Sequence, residues 1–352
     1  MTAIVVVAWA ALASGFTVVT LWRLARRPRV PRPDAAPPLL LLRPADATSA
    51  RERASLGAPL DYPGDVAHVV LAPERPAALP PGVVWQASDP TTPNRKVGHV
   101  LHALAAVPRA GRVVCVVDAD VAVDGPLLRA LASAVVRGAA LATAAPAPLP
   151  APGLAARAQR ALLCHTHQSF DALDAVAVGA KPVCGKAMAL ADAALAILPS
   201  LRDQVGEDLE LAKALHAAGE AVVLVEASAR VPQEADAPLA PVLERYTRWM
   251  QVLRAHRPWL FLSVPLLLAP SWPLAVLAPV AASPAALAAV AMLWVARCAL
   301  AWRLAPTGAG AWPLGEALLL AAFVRAAGRR VVVWRGRRFR LARGGRMLPL
   351  VA

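Results

Sequence analysis

The sequence predicts a mixed α/β fold with a mostly parallel sheet, flanked by helices and joined to transmembrane helices near both ends of the chain. Between about residues 39 and 255, short apolar runs alternate with helical stretches, which is typical of parallel strands connected by helices. Apolar stretches long enough to cross a bilayer lie before and after this region. Hydrophobic residues make up 58 % of the 352 residues and charged residues 17 %, so the apolar excess indicates a membrane protein.

The N-terminal apolar stretch, residues 1–22, is interpreted as a transmembrane signal anchor. Residues 2–22 carry no charge, and a helix of this length just crosses the hydrocarbon core at about 1.5 Å per residue. The arginines that follow it are Arg23, Arg26, Arg27, Arg29 and Arg32. A cleaved export signal, the alternative, would carry its positive charge before the apolar run. The positive-inside rule therefore predicts an external N-terminus and a cytoplasmic segment after the anchor.

A basic, proline-rich linker at residues 23–38 leads into a cytoplasmic domain at residues 39–257. The prolines of the linker are incompatible with a helix. The strands predicted for the domain are the buried apolar runs 39–42, 66–72, 112–120 and 221–227. The helices predicted between them are 97–107, 125–136 and 208–219.

The C-terminal third of the chain is apolar again. Its predicted segments are two transmembrane helices within 258–304, namely 259–280 and 284–304, and an interfacial helix with a basic cytoplasmic tail within 305–352. The stretch 312–327 is short and contains Glu316 and Arg325. Because its crossing would place the arginine-rich tail outside, a helix lying in the membrane interface is preferred. The tail itself is predicted to return as a strand or hairpin.

The positions of the charged residues indicate which kind of partner this basic protein binds. The net charge is +14, from 37 Lys and Arg against 23 Asp and Glu. Such a balance fits nucleic acid, anionic lipid or phosphorylated substrates. The arginines cluster beside apolar segments, after residue 22 and at 329–346, and no interleaved basic and aromatic surface is evident. We therefore expect the membrane as a partner and no nucleic acid.

Two carboxylates follow the predicted strand that begins at residue 112. Asp118 and Asp120 are separated by one residue at the carboxyl end of this strand, the position at which open α/β sheets bind ligands. Carboxylate oxygens suit hard cations such as Mg²⁺ or Mn²⁺, which in turn neutralise a diphosphate. The alternative is a helix N-cap and an unrelated turn residue, and the strand context favours the metal site.

Two further groups of residues have both a structural and a functional explanation. Glu207 and Asp208 begin a predicted helix, where acids complement the helix dipole by about 0.3–1 kcal/mol. In an enzyme that transfers a sugar, one such carboxylate takes the proton of the acceptor hydroxyl. Arg245, Arg248 and Trp249 share one helical face just before a membrane segment, where basic and aromatic anchors are common. Arginine also suits the grip of a diphosphate leaving group.

In this order, these motifs resemble those of a known family. They read NRKVGHVLHAL at 94–104, DAD at 118–120, GED at 206–208 and RYTRW at 245–249, between an N-terminal anchor and C-terminal membrane helices. The chain resembles the inverting transferases of the GT-A class and, within them, the ceramide glucosyltransferase family, including bacterial and hopanoid-associated members. A short element, Cys184-Gly185-Lys186, is explained equally well as a turn or as part of an acceptor channel.

The resemblance implies a role for each matching residue. Asp118 and Asp120 would hold Mg²⁺ or Mn²⁺ and the nucleotide diphosphate, and Lys96 would approach the nucleotide. Asp208 would be the general base, with Glu207 as its neighbour. The residues that would close the donor and acceptor site are Arg245, Arg248 and Trp249. The resemblance also implies an integral protein of the bacterial inner membrane with its catalytic domain in the cytoplasm.

The implied reaction is the transfer of a sugar, glucose from UDP-glucose, onto a membrane lipid such as ceramide. The alternatives are another lipid acceptor (a hopanoid, diacylglycerol or polyprenyl phosphate) and an inactive membrane scaffold that retains the fold. The chain departs from the family at an early strand, where members carry an aspartate that reads uracil. Glu74 lies near this position, so either Glu74 replaces that aspartate or backbone groups hold the base.

Overall fold

The computed structural model of the chain describes residues 2–26, 36–46, 49–77, 79–177, 179–233, 238–334 and 336–350. Most of the predicted linker 23–38 lies outside these residues. The chain forms two compact units, and each is described by itself. The sheet unit comprises residues 29–147, 177–232 and 339–352, and the helical unit comprises residues 1–28, 148–176 and 233–338.

Seven strands form the main sheet, which is mixed but mostly parallel. They are β1 Leu39–Pro44, β2 Val66–Ala72, β3 Val83–Ala87, β4 Val113–Val117, β5 Leu141–Pro148, β6 Ala187–Leu190 and β7 Val222–Val231. Their order is β3-β2-β1-β4-β6-β5-β7. β1 is parallel to β2 and β4, and β2 is parallel to β3. β6 is antiparallel to both β4 and β5, so β5 runs in the direction of β4.

Twelve α-helices occur in the described residues. They are α1 Thr2–Ala25, α2 Ala50–Leu56, α3 Arg95–Ala106, α4 Gly125–Val136, α5 Leu154–Val176, α6 Asp192–Ile197, α7 Glu207–Ala217, α8 Leu239–His256, α9 Pro258–Ser263, α10 Ser271–Val280, α11 Pro284–Leu304 and α12 Trp312–Gly328. The predicted strands and helices of the α/β domain are confirmed, with small differences at their ends. β3, β5, β6, α2, α5 and α6 were not assigned from the sequence.

The leucines of β1 show how the sheet is buried on both faces. Leu40 and Leu42 pack in a hydrophobic cluster with side chains of α3 and α7. Leu39 and Leu41 pack in a second cluster with side chains of α4. Successive side chains of a strand point to opposite faces, so this unbroken apolar run requires a helix layer on each side. The arrangement leaves the carboxyl edge of the parallel strands open for polar residues.

The helical unit contains the candidate membrane segments. By length and composition, α1, α11 and residues 309–328 are each apolar and long enough to cross a bilayer. The predicted span 259–280 differs from a single straight helix. It consists of residues 258–268 and of α10, which are bent by 57°. Pro270 and Pro273 lie at the break and lack the N–H groups that would continue a helix. The interfacial position of 312–327 stays a prediction.

A buried ion pair joins three elements of the helical unit. Arg297 of α11 lies 3.1 Å from Glu316 of α12, and both side chains are almost fully buried. The Glu316 carboxylate also accepts a 2.9 Å hydrogen bond from the backbone N–H of Ser271, the first residue of α10. Arg297 donates to the carbonyl of Leu267, just before the break. The pair therefore satisfies backbone groups that the interrupted helix leaves open.

The basic tail forms strands, as predicted, and part of it belongs to the sheet unit. The strands are β8 Val331–Trp334, β9 Arg337–Leu341 and β10 Met347–Pro349, and β10 is antiparallel to β9. The Val205 N–H donates to the Gly345 carbonyl at 3.0 Å, and the Met347 N–H donates to the Asp203 carbonyl at 2.7 Å. The end of the chain is thus hydrogen-bonded to the segment that precedes α7.

Candidate active site

Asp118 and Asp120 lie in a turn directly after β4, at the carboxyl edge of the parallel strands. Arg43, near the end of the neighbouring β1, is buried and donates to the backbone carbonyls of this turn. Its Nη2 lies 3.1 Å from the carbonyl oxygens of Asp118 and Ala119 and 2.9 Å from that of Val121. Burial lowers the pKa of Arg43 to about 10, although the negative charges of Asp120 and Asp118 act to raise it. The guanidinium therefore stays charged at neutral pH. Arg43 was not identified from the sequence, because it directly follows the apolar run Leu39–Leu42 and belongs to no recognised motif.

Lys96 connects this turn with the acidic residues of α7. Its Nζ lies 2.9 Å from Oδ1 of Asp118 and 3.2 Å from Oε1 of Glu207. It also donates to the carbonyl of Gly185. Burial lowers the pKa of Lys96, but the charges of Asp118 and Glu207 outweigh burial and raise the pKa above its usual value. Lys96 therefore holds two predicted site carboxylates together as a permanent cation.

Glu207 and Asp208 accept specific hydrogen bonds. Acids that only complement a helix dipole would not need them. The side-chain amide of Asn94 donates to Oε2 of Glu207 at 3.0 Å. Asp208 accepts backbone hydrogen bonds at both oxygens: 2.6 Å from the N–H of Gly185 to Oδ2, and 2.9 Å from the N–H of Leu209 to Oδ1. Both carboxylates are therefore positioned by other parts of the sheet unit.

The pKa of Asp208 is raised from its usual range to about 7. Burial is the largest cause, and the negative charge of Glu207 adds to it. The charge of Lys96 and the backbone hydrogen bonds from Gly185 and Leu209 act in the opposite direction. A carboxylate with a pKa near the working pH suits proton transfer from a substrate hydroxyl better than an ordinary surface acid.

A second lysine, Lys186, lies between the two aspartates of the β4 turn. Its Nζ is 2.6 Å from Oδ1 of Asp120 and 3.3 Å from Oδ2 of Asp118. The Lys186 carbonyl accepts a 2.9 Å hydrogen bond from the Asp118 N–H, and Ala187 is paired with Val117 in the β4–β6 ladder. From the sequence, residues 184–186 fit a turn and part of an acceptor channel equally well, and Lys186 had no assigned role, because the antiparallel pairing of β6 with β4 is not evident from local pattern.

The two aspartates fit a divalent cation. One oxygen of each carboxylate approaches the same point, the Lys186 ammonium, and Arg51 lies 3.2 Å from the other oxygen of Asp120. In the described part of the chain, no group of three or more His, Cys, Asp or Glu residues is arranged for a metal ion. Mg²⁺ needs no such group, since it is commonly held by one or two carboxylates together with substrate phosphates and water.

Four predicted site residues belong to other elements of the structure. Arg245, Arg248 and Trp249 are on α8 of the helical unit, where the ring of Trp249 lies 4.9 Å from that of Tyr246. Glu74 is exposed, two residues beyond the end of β2. Their roles in binding the donor stay predictions. The structure does bring together Lys96, Asp118, Asp120, Glu207 and Asp208.

Comparison with known proteins gives a family match and a similar solved structure. The sequence model described as "Glycosyl transferase family 21" matches residues 79–347, which include Lys96, Asp118, Asp120, Glu207 and Asp208. Among solved structures, the chain is similar to the mannosyltransferase PcManGT from Pyrobaculum calidifontis, determined in complex with GDP-Man and Mn²⁺. The TM-score is 0.51 at 16 % identity, over 93 % of this chain and 99 % of that chain, which shows a shared GT-A-like fold. No curated protein matches the sequence.

Proposed function

The chain belongs to glycosyl transferase family 21, the ceramide glucosyltransferase family, and on that premise we propose that it transfers glucose from UDP-glucose to a ceramide-like lipid with inversion. That it is a glycosyltransferase follows from the family. The observation that supports the proposed mechanism is the Asp208 carboxylate, whose pKa is about 7, within one hydrogen-bonded cluster with Lys96, Glu207 and the Asp118 turn.

The proposed chemistry is a single displacement with Asp208 as the base. A lipid hydroxyl is a poor nucleophile at neutral pH, so its attack requires a base within hydrogen-bond reach. The hydroxyl oxygen bonds to the anomeric carbon, its proton passes to Asp208, and the bond from that carbon to the diphosphate oxygen breaks. The electron pair leaves with the nucleoside diphosphate. Attack from the opposite face converts an α-linked donor into a β-glycoside.

Positive charge stabilises the leaving diphosphate in this proposal. Asp118 and Asp120 would hold Mg²⁺ or Mn²⁺, which when bound neutralises charge that develops on the diphosphate. The Mn²⁺ in the PcManGT complex supports the choice of a divalent ion. Lys96 keeps Asp118 and Glu207 in place, which preserves the positions of the metal ligand and of the base's neighbour as charge moves during the reaction.

The membrane helices support a lipid acceptor. Apolar side chains of the candidate spans α1 and α11 are largely exposed, among them Ile4 (74 %), Met292 (69 %) and Val295 (70 %). Such faces are stable against lipid tails and costly in water. An enzyme anchored in this way meets acceptors that reside in the bilayer, which is why a membrane lipid is proposed over a soluble sugar.

The test is transfer by the purified full-length protein in nanodiscs. UDP-glucose, UDP-N-acetylglucosamine and GDP-mannose are each offered with ceramide, diacylglycerol, a hopanoid or polyprenyl phosphate, with and without Mn²⁺. We expect a β-linked glucosylceramide, identified by mass spectrometry and by the anomeric coupling constant in NMR. An α-linked product would contradict single displacement. Turnover with another lipid would replace ceramide in the proposal. If no pair of donor and lipid gives either transfer or hydrolysis of the donor, the result would favour an inactive scaffold.

A further inference from the structure

We propose that Lys186 is an internal cation that occupies the Asp118–Asp120 pair until a divalent metal and the nucleotide enter together, and that its ammonium then moves to the donor diphosphate. This inference rests on the proposed function, because it assumes that these aspartates hold the metal. It adds a second lysine to the site and predicts that metal and nucleotide bind cooperatively.

The position of the Lys186 ammonium supports this proposal. Its distances of 2.6 Å to Asp120 and 3.3 Å to Asp118 place it between one oxygen of each carboxylate. The other oxygen of Asp118 is bonded to Lys96 and that of Asp120 to Arg51, so a metal held by both aspartates would compete with the Lys186 ammonium for the same two oxygens. The Lys186 side chain is 16 % exposed, so part of it is accessible to solvent.

The two lysines of the site differ in their bonding partners. Lys96 is bonded to two carboxylates and also to the carbonyl of Gly185, an acceptor that no metal would remove. In the described part of the chain, the ammonium of Lys186 is paired with Asp118 and Asp120 alone. A metal bound to Asp118 and Asp120 would therefore leave Lys96 its contacts with Glu207 and the Gly185 carbonyl. It would displace Lys186 from both of its partners.

The movement of the Lys186 ammonium needs no change of backbone. The Lys186 backbone is fixed by the hydrogen bond from the Asp118 N–H and by the start of β6. Its ammonium is carried on a flexible four-carbon stem, which can change rotamer while the strand remains paired. An ammonium released beside Asp118 and Asp120 lies next to the diphosphate that these residues would bind through the metal, and it pairs with that anion.

The charge of the site also supports the proposal. Four cations (Lys96, Lys186, Arg51 and Arg43) face four carboxylates (Asp118, Asp120, Glu207 and Asp208), so positive and negative charges are equal in number before any metal binds when Asp208 is deprotonated. A divalent ion alone adds two positive charges and frees the lysine without giving it a partner. A divalent ion together with a diphosphate ester of two negative charges restores the balance. Metal and nucleotide should therefore each increase the affinity for the other.

The test is equilibrium binding of Mn²⁺ and UDP to the full-length protein in nanodiscs, with free Mn²⁺ measured by electron paramagnetic resonance. For the wild type we expect UDP to increase the Mn²⁺ affinity by about tenfold or more. Lys186→Met should bind Mn²⁺ alone about tenfold more tightly than the wild type, and UDP should strengthen that binding much less. Lys186→Arg, which keeps a cation, should resemble the wild type.

The matched control is Lys213→Met, which makes the same change of charge and length at a lysine paired with Glu210 on α7. It should bind Mn²⁺ and UDP as the wild type does. Equal Mn²⁺ affinity in the wild type and in Lys186→Met would overturn the inference and leave the proposed function standing.

A second measurement uses the wild type alone, so the inference stays testable even when Lys186→Met does not fold. UDP binding that does not depend on Mn²⁺ would show that Lys186 stays on the aspartates, and would also overturn the inference. No binding of UDP or Mn²⁺ to the wild type would instead refute the proposed function, and this inference with it.

Discussion

The backbone N–H of Gly185 donates a 2.6 Å hydrogen bond to Oδ2 of Asp208. This bond joins the segment before β6 to the first turn of α7, and it fixes the orientation of the proposed base. Because hydrogen bonds to a carboxylate stabilise its charged form, the bond opposes the effect of burial on the pKa of Asp208. The acid therefore titrates near neutrality, which leads to two predictions.

The first prediction concerns the pH dependence of the reaction. Asp208 acts as a base when it is deprotonated, so kcat/KM of the wild type should rise with pH up to about 7 and then level off. Asp208→Asn should abolish lipid glycosylation while nucleotide affinity changes by no more than a few fold. Asp192→Asn, the same change at an exposed residue, serves as the control. An active Asp208→Asn enzyme would place the base elsewhere, with Glu207 the next candidate.

The second prediction concerns stability. The folded protein holds the proton of Asp208 more tightly than the unfolded chain does, because the folded-state pKa of about 7 exceeds the ordinary value. This group therefore lowers the free energy of unfolding as pH rises from about 4 to about 7, with no further change above. The melting temperature of the wild type should therefore fall relative to that of Asp208→Asn as the pH rises across this range. Parallel curves would show that the Asp208 pKa is not raised.

The third prediction concerns the space at Gly185. A Cβ at this position would lie 3.1 Å from Nζ of Lys96 and 3.3 Å from carboxylate oxygens of Glu207 and Asp208. Gly185→Ala should therefore displace these groups by a few tenths of an ångström and lower kcat by roughly tenfold, since misplacement of catalytic groups is costly. Gly179→Ala is the control, because its Cβ meets no atom within 4 Å. Unchanged kcat in Gly185→Ala would show that the cluster tolerates this shift.

The fourth prediction concerns the metal ligands. Asp120→Asn removes a charge from the proposed ligand pair and leaves Lys186 with one carboxylate fewer. The rate of transfer should fall by about 10²-fold or more, the scale seen when a contact to the developing charge is lost. Wild-type activity should require Mg²⁺ or Mn²⁺. Full turnover of Asp120→Asn in the presence of a chelator would refute a metal role for this residue.

The fifth prediction concerns topology. Backbone hydrogen bonds tie residues 345–347 to residues 203–205 of the sheet unit, so the end of the chain lies on the same side of the membrane as the sheet. A reporter fused after Leu40 and one fused to the C-terminus should both indicate the cytoplasm. A third reporter in the turn 281–283 tests the segment before it: an external signal means that 259–280 crosses. An external C-terminal signal would contradict the assignment.

Sequence pattern predicted the main elements of the fold, since each depends on residues that are close in the chain. The apolar run of β1, the helix that begins at Glu207 and the apolar stretch of α11 are local signals of burial and periodicity. The family resemblance added roles for Asp118 and Asp208, which the structure brings into one cluster; those roles stay predictions.

The bend between residue 268 and α10, and the ion pair beside it, required the structure. The prolines of this segment indicate where a helix can break, but the partners of the open backbone groups come from α11 and α12. Arg297 and Glu316 each resemble an unfavourable charge in an apolar stretch when the sequence is considered alone. Their pairing explains both charges at once.

By itself, the sequence determined the α/β class, the candidate membrane segments and the positions of the motif residues, because these follow from local composition and spacing. Only the tertiary structure decided which charges meet. Lys186 is 68 residues from Asp118 in the chain, yet the antiparallel pairing of β6 with β4 places its ammonium between Asp118 and Asp120. The apolar pattern of a strand restricts its register, but which strand lies beside it is decided by packing across the whole sheet.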